Sequence, residues 1–438
     1  MGVKAIKFGG SSVADGIQLG KIKDIIEADP ERRYVVVAAP GKRFSADSKI
    51  TDLLLMCKAQ ADSNIPYEQL FQVIEDRYNA ISLQLGIDVD LSGEYEVILR
   101  NLNEGCSKDY IASRGEYLSA KLIAEYLDYD FVDTCGLILF DGKGRLLAEE
   151  TNDALSEELS KHERAVLPGF YGSDASSGEI RVFSRGGSDV TGAVVARAVN
   201  ADIYENWTDV SGLLMADPRI VKDPLPIEYI SYPELRELSY MGASVLHEDA
   251  VFPVRLAGIP INIRNTNDPE NPGTIITTEG SYRDDKLLSG IAGKQPFTVI
   301  SVYKNMMNKE VGFVRRTLAV LEDLGISFDH IPTGIDSLSV VIESSAIEDH
   351  LDEVIAEFEQ RLHPDEISVV SDIAMIAVVG MGLNRKIGAA SKITGALSDA
   401  GINIRMLNQG ISEINVIIGV DSPDFEPAIR AIYTAFTK

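Results

Sequence analysis

Val3-Lys4-Ala5-Ile6-Lys7-Phe8-Gly9-Gly10-Ser11-Ser12 is a short apolar run that carries a lysine near its end and breaks on two glycines. The run is long enough for one buried strand and too short for a helix. The glycines let the backbone approach a ligand closely, and successive N–H groups in such a turn can cradle phosphate oxygens. A lysine beside them supplies a point charge for a phosphoryl group. This is not the P-loop device, because GxxxxGK[ST] occurs nowhere in the chain. Taken alone, the segment could also be an ordinary glycine turn with a surface lysine.

Outward from this strand, short apolar segments alternate with longer amphipathic ones. Val3–Phe8, Tyr34–Ala39, Phe131–Asp133, Ala165–Pro168 and Ala201–Glu205 read as strands. Leu19–Glu27, Asp52–Ala61, Tyr110–Tyr126 and Val190–Val199 have helical periodicity. The alternation predicts an α/β domain with a mainly parallel central sheet between two helical layers. Ligands of such sheets bind at the carboxyl ends of the strands, so the loops after strands should carry the chemistry.

The polar stretch Asn265–Gly273 and its continuation place a domain boundary between about 280 and 296. Beyond it the sequence repeats. Gly312 and Gly388 are 76 residues apart, as are Gly325 and Gly401, and Leu321–Ser327 echoes Leu397–Asn403. Each unit reads as strand, glycine loop, helix, glycine turn, two strands and a helix, which suits a ferredoxin-like βαββαβ module of about 70 residues. The expected domains are 1–290, 296–368 and 369–438.

With 41 basic against 67 acidic residues the net charge is −26. Such a chain repels polyanions, so neither nucleic acid nor an anionic membrane is an expected partner. Three cysteines, Cys57, Cys106 and Cys135, lack CxxC spacing, which argues against zinc and for a reducing compartment. No apolar run reaches membrane-spanning length and the amino terminus reads as a strand rather than a signal peptide, so a cytoplasmic location is expected.

Three further segments carry candidate chemistry. Phe183-Ser184-Arg185-Gly186-Gly187-Ser188-Asp189 sets a Gly-Gly turn before a helix, whose amino end favours anions. Ser188 or Asp189 would also serve as an ordinary N-cap. Arg185 against two glycines suits bidentate capture of a carboxylate. Ser113-Arg114-Gly115-Glu116 stands before the helical Tyr117–Leu122 run, where Glu116 in a first turn could also simply complement the helix dipole. Trp207-Thr208-Asp209-Val210-Ser211-Gly212 and Asp217-Pro218-Arg219 form polar turns after another strand.

In this order the segments resemble aspartate kinases of the amino-acid kinase superfamily. Lys-Phe-Gly-Gly-Ser-Ser, Ser-Arg-Gly-Glu, Arg-Gly-Gly-Ser-Asp, Thr-Asp-Val-Ser-Gly with Asp-Pro-Arg, Val-Leu-His at 245–247 and Ile-Arg-Asn-Thr-Asn at 263–267 carry the likeness. The duplicated units resemble paired ACT domains, with Ser-Glu-Ile-Asn at 412–415 typical of the second. The resemblance implies a three-layer αβα catalytic domain and two ACT domains. It implies phosphorylation of the L-aspartate side chain by ATP with Mg2+, the first step of lysine, threonine and methionine biosynthesis. By the same likeness Lys7 neutralises the transferred phosphoryl, while Gly9, Gly10 and Ser11 surround the ATP phosphates. Thr51, Glu116, Arg185 and Ser188 hold aspartate, and Thr208, Asp209 and Arg219 face the nucleotide. Asp189 orients Lys7 or reaches Mg2+ through water. No residue is expected to ligate metal directly. Ser244 stands where many relatives have lysine and Leu214 where many have tyrosine, both on the nucleotide side.

The nucleophile would be a carboxylate with an ordinary pKa of about 3.9, already ionised, so no general base is required. For the first ACT unit the likeness implies an effector site at Met307, Asn308, Gly312, Ser327, Asp329 and Thr333. The acidity of Asp329 makes lysine the first expected effector and threonine the second. A homodimer or dimer of dimers through the ACT domains is expected, and no homoserine dehydrogenase portion. Two rival readings are another acceptor, glutamate or carbamate, and a non-catalytic amino-acid sensor.

Overall fold

The computed structural model describes residues 2–184, 186–243, 246, 248–278, 287–383, 386–410 and 414–438, with 248–251 by backbone alone. The chain divides into two compact units. The first comprises Met1–Leu213, Pro226–Tyr232 and Val245–Ser281; the second comprises Leu214–Leu225, Pro233–Ser244 and Tyr282–Lys438. Two segments that a linear boundary near 290 would leave with the amino-terminal domain are thus counted with the carboxyl-terminal unit.

In the first unit the opening apolar run is the strand Lys4–Phe8, near the middle of an eight-stranded sheet. Its neighbours Arg32–Val37 and Ile203–Thr208 are both parallel to it, and Ala165–Pro168 lies parallel beyond Arg32–Val37. The mainly parallel sheet expected from the alternation is present; among the described residues its one antiparallel pairing joins Ile261–Asn265 to Thr274–Thr277. Period-two alternation splits the opening strand. Ile6 and Phe8 enter a core with Leu19, Ile22, Leu54, Ile74, Ile111 and Leu118, contributed by helices on one face. The helix Gly187–Ala198 packs against the three central strands, with Ala148–Leu159 and Glu248–Ala257 beside it. Three layers result.

Near the amino ends of these strands Glu205, 3% exposed, receives the Arg32 guanidinium at 2.8 Å and the Trp207 indole N–H at 2.8 Å. This buried ion pair is hydrogen-bonded on several sides, the condition under which such a pair is tolerated in a core.

In the second unit an antiparallel five-stranded sheet runs Ser337–Glu343, Gly290–Tyr303, Glu366–Val379, Asn415–Asp421, Met406–Asn408. Helices Phe313–Asp323, Leu351–Leu362, Ala389–Asp399 and Phe425–Thr437 follow the repeat. Gly312 and Gly388, the paired glycines, both occupy the left-handed region at helix N-caps, with φ of 82° and 92°. That shared requirement explains why glycine recurs there.

The modules depart from two independent βαββαβ units in two ways. The second strand expected in the first module, around Asp329, is reduced to isolated bridges, His330 with Val341 and Thr333 with Leu338. The two modules also share long strands. Phe297–Tyr303 pairs with the first half of Glu366–Val379, whereas Gly290–Lys294 pairs with Met375–Val379 and so adds a strand to the second module from ahead of the first. No helix among the described residues is long and apolar enough to cross a membrane.

Candidate active site

Four parallel strands of the first unit bring the loops after Phe8, Val37, Pro168 and Thr208 to one edge. Lys7 is 7% exposed, and its Nζ lies 2.5 Å from Asp189 Oδ1. Asp189 stands in the first turn of Gly187–Ala198. Asn206 completes a triangle: its Nδ2 donates to Asp189 Oδ1 at 3.0 Å, and its Oδ1 accepts from Lys7 Nζ at 3.5 Å. Two expectations about this helix change. Neither Ser188 nor Asp189 is the N-cap; Gly186 is, with φ 58°, which leaves both side chains free of capping. Gly169 is required next to them, since a Cβ there would meet Ser188 Cβ at 2.7 Å.

The glycine turn divides its amides. Gly9 N–H donates to Trp207 O at 3.0 Å, Ser12 N–H to Gly9 O and Val13 N–H to Gly10 O. Gly10 and Ser11 are the two amides of the turn outside these bonds, so they are the donors open to an anion. Gly10 is fixed by the loop after the neighbouring strand: Gly41 N–H donates to its carbonyl at 2.8 Å, and a Cβ on Gly41 would meet Gly10 C at 2.7 Å. That loop is braced from below by Arg77, 4% exposed, which donates to Gly41 O at 3.3 Å and to both oxygens of Asp47. Arg43 and Arg77 hold the Asp47 carboxyl well below the usual carboxylate range. Ile50 N–H binds Pro40 O at 3.1 Å, which starts the helix carrying Thr51 beside the same loop.

Glu116 differs from the sequence expectation. The helix starts at Lys108, capped by the Ser107 hydroxyl, so Glu116 sits in the helix interior rather than in a first turn, and the dipole explanation lapses. Gly115 allows close packing there, since a Cβ would meet Ala39 Cβ at 2.7 Å. Glu116 is 5% exposed and its Oε2 has no hydrogen-bond partner. Burial pushes its pKa from 4.5 up to about 8, against the opposing pull of a hydrogen bond from the Ala39 backbone. A buried carboxyl with an open oxygen is the arrangement that a ligand cation would complete.

Thr208 ends its strand and donates to Asp209 Oδ1 at 3.1 Å, while the Thr208 carbonyl accepts from Thr266 N–H. Ser12 Oγ and Thr266 Oγ1 lie 2.8 Å apart. Arg219 belongs to the second unit, where it is exposed and ion-paired with Asp217 at 2.6 Å. It lines an open cavity of about 570 Å3 with Leu214, Pro218 and Lys222. Arg185, Ser244, Val245, His247, Ser412 and Glu413 lie outside the described residues. Among the described residues no group of three or more His, Cys, Asp or Glu could hold a metal ion.

Of the expected effector residues, Met307 is buried in the core of the first module. Ser327 and Thr333 are exposed, and Asp329 accepts a hydrogen bond from Tyr240 at 2.6 Å. Asn206, the Ala39–Gly41 loop and Tyr240 were not singled out from the sequence. Asn206 alone had a signal there, a polar residue directly after the segment Ala201–Glu205 read as a strand; the structure runs that strand over Ile203–Thr208 and sets Asn206 in register with Lys7.

Comparison with known proteins gives a consistent picture. The amino acid kinase family model matches residues 2–265, and an ACT domain model matches 376–436. Aspartokinase 3 of Bacillus subtilis is 36% identical, over 99% of this chain and 98% of its own length. The crystal structure of aspartate kinase from Clostridium acetobutylicum, described as an allosteric enzyme, is 48% identical with a TM-score of 0.92 over 100% of both chains. Aspartokinase III of Escherichia coli, solved with aspartate and ADP and separately with lysine and aspartate, shares the fold over 100% of both chains at TM-score 0.75 and 24% identity.

Proposed function

We propose, from the premise that this chain belongs to the aspartokinase family of amino acid kinases and is a phosphotransferase, that it moves the γ-phosphoryl of ATP to the β-carboxylate of L-aspartate. The observation that carries this reading is the cationic Lys7, held by Asp189 and Asn206 beside the open Gly10 and Ser11 amides, in a unit that also buries an uncompensated Glu116.

The difficulty in such a reaction is electrostatic, since one anion must approach another and charge then spreads over the phosphoryl oxygens. Lys7 and the Gly10 and Ser11 amides stabilise that charge from fixed positions. Gly9 contributes by keeping the turn tied to Trp207. Glu116 receives the substrate ammonium; Thr51, Ser188 and Arg185 hold the rest of aspartate. Thr208 and Asp209 serve the nucleotide. Mg2+ would be carried on the ATP phosphates and would neutralise their charge when bound, with Asp189, whose side chain caps no helix, as the carboxylate that would reach it through water. The chain's own part is to place the two anions within reach.

Lysine is the proposed effector, with threonine second, at the first ACT module, where Asp329 would take the effector ammonium. The E. coli relative crystallised with lysine supports that choice. A homodimer or dimer of dimers and a cytoplasmic location complete the reading. Trapping acyl phosphate with hydroxylamine tests it: purified protein with MgATP should form the hydroxamate with aspartate and far less with glutamate. Lys7→Ala should lower kcat by roughly 10²–10⁵-fold. A folded Lys7→Ala variant within tenfold of wild type removes Lys7 from the mechanism, and faster reaction with glutamate replaces the acceptor.

A further inference from the structure

We infer that Asn206 is a positioning residue of this site, its side-chain amide fixing the direction of the Lys7 ammonium through Asp189. The inference rests on the phosphotransfer reading above and adds a residue to it.

Asn206 stands beside Lys7 in parallel register, so the two side chains leave the same face of the sheet. It is 4% exposed in a strand otherwise built from Ile203, Tyr204, Trp207 and Thr208 around the structural Glu205. A buried amide costs stability unless it is hydrogen-bonded, and a β-branched apolar residue would suit a central strand better. Both of its side-chain hydrogen bonds go to Lys7 and Asp189. Only one orientation of the amide works, because the reverse would set NH2 against an ammonium and C=O against a carboxylate.

An ammonium has three donors. Asp189, from the helix, and Asn206, from the neighbouring strand, take two of them from different directions. The third then has a single direction left, available to a phosphoryl oxygen. Without Asn206 the flexible four-carbon stem would pivot about Asp189 Oδ1 alone. Asn206 also donates to the same Oδ1 that holds Lys7, and so shares its charge and loosens its claim on the ammonium.

The test compares wild type, Lys7→Ala, Asn206→Ala, the nearly isosteric Asn206→Asp and the Lys7→Ala/Asn206→Ala double variant, all as full-length protein, by hydroxylamine trapping. Asn206→Ala should lower kcat by roughly 10- to 100-fold, the scale of a small misplacement, with both KM values within about twofold of wild type. Asn206→Asp, which keeps the shape and loses the donor, should lose at least about tenfold by the same argument. In the Lys7→Ala background the Asn206 substitution should cost under about threefold more, because its effect passes through Lys7. An equal loss in both backgrounds, or a rise in KM at constant kcat, overturns the inference. Should wild type phosphorylate no carboxylate, the functional reading fails by itself. Crystal structures of wild type and Asn206→Asp then decide the present point, since an unmoved Lys7–Asp189 contact would reject it and a displaced ammonium would support it.

Discussion

The Tyr240 phenol donates to the Asp329 carboxylate across 2.6 Å, tying the segment Pro233–Ser244 to the first carboxyl-terminal module. The same segment holds the second module: Glu234 accepts from Ser289 Oγ at 2.6 Å and from Met381 N–H at 2.9 Å, and Glu237 accepts from Asn415 Nδ2 at 2.5 Å. Partial burial and the Asp329 carboxylate push the Tyr240 phenol up to about 12, so it remains a donor at any physiological pH.

An effector ammonium drawn to Asp329 must compete with this hydrogen bond. Tyr240→Phe should therefore strengthen lysine inhibition, moving its midpoint about fivefold lower for a half-exposed bond worth about 1 kcal/mol. Asp329→Ala should abolish the response. Inhibition curves of the two variants check both; an unchanged midpoint in each would remove Asp329 as the sensor.

Glu116 makes stability and binding depend on pH in opposite senses. Its folded-state pKa is raised from 4.5 to about 8, so between those values the unfolded chain has lost a proton that the folded chain keeps. Stability therefore falls as pH climbs through that window, by a few kcal/mol in all. Glu116→Gln should leave the melting temperature unchanged near pH 4.5 and raise it by about 5–10 °C at pH 8.5. Aspartate needs the ionised form, so its binding below pH 8 should release a proton, and the glutamine variant should raise its KM roughly 100-fold. Calorimetry in two buffers of different ionisation enthalpy measures the proton; none released would discard the ammonium role.

Gly41 is the point where two loops meet. Its added Cβ would fall 2.7 Å from Gly10 C and 3.0 Å from Ser11 N, both backbone atoms that no rotamer change can move. Gly41→Ala should cost about 1–3 kcal/mol of stability and displace the Gly10 and Ser11 amides. A melting curve and a kcat measurement check this, with the loss expected in kcat as well as in stability.

Glu205 supports the sheet without touching the site. Glu205→Ala would leave Arg32 buried with no carboxylate and Trp207 Nε1 without its acceptor, at a cost of about 3–5 kcal/mol. Denaturant unfolding should register that loss while the kcat of the folded fraction changes little.

The element types were legible because they depend on neighbours in sequence. A short apolar run broken by glycines gave Lys4–Phe8, helical periodicity gave most of Lys108–Leu127, and the left-handed caps at Gly312 and Gly388 made the repeat visible as paired glycines. The expectation that Lys7, Glu116 and the Arg-Gly-Gly-Ser-Asp segment carry the chemistry also came from local phrases, so their residue types were readable before their surroundings.

What folding alone decided were relations across distance. Sequence could not tell that Gly9 spends its amide on Trp207, that Asn206 stands in register with Lys7, or that Asp329 already has a phenol bound to it. Nor could it tell that Gly290–Lys294 joins the second module rather than the first. Each depends on which strands pair and which backbones come within 3–4 Å, and a linear pattern records only the preference of each residue for strand, helix or burial. The pKa of Glu116 is the clearest case: the residue is an ordinary glutamate in the chain, and its burial, which outweighs the hydrogen bond from the Ala39 backbone, makes it a nearly neutral acid.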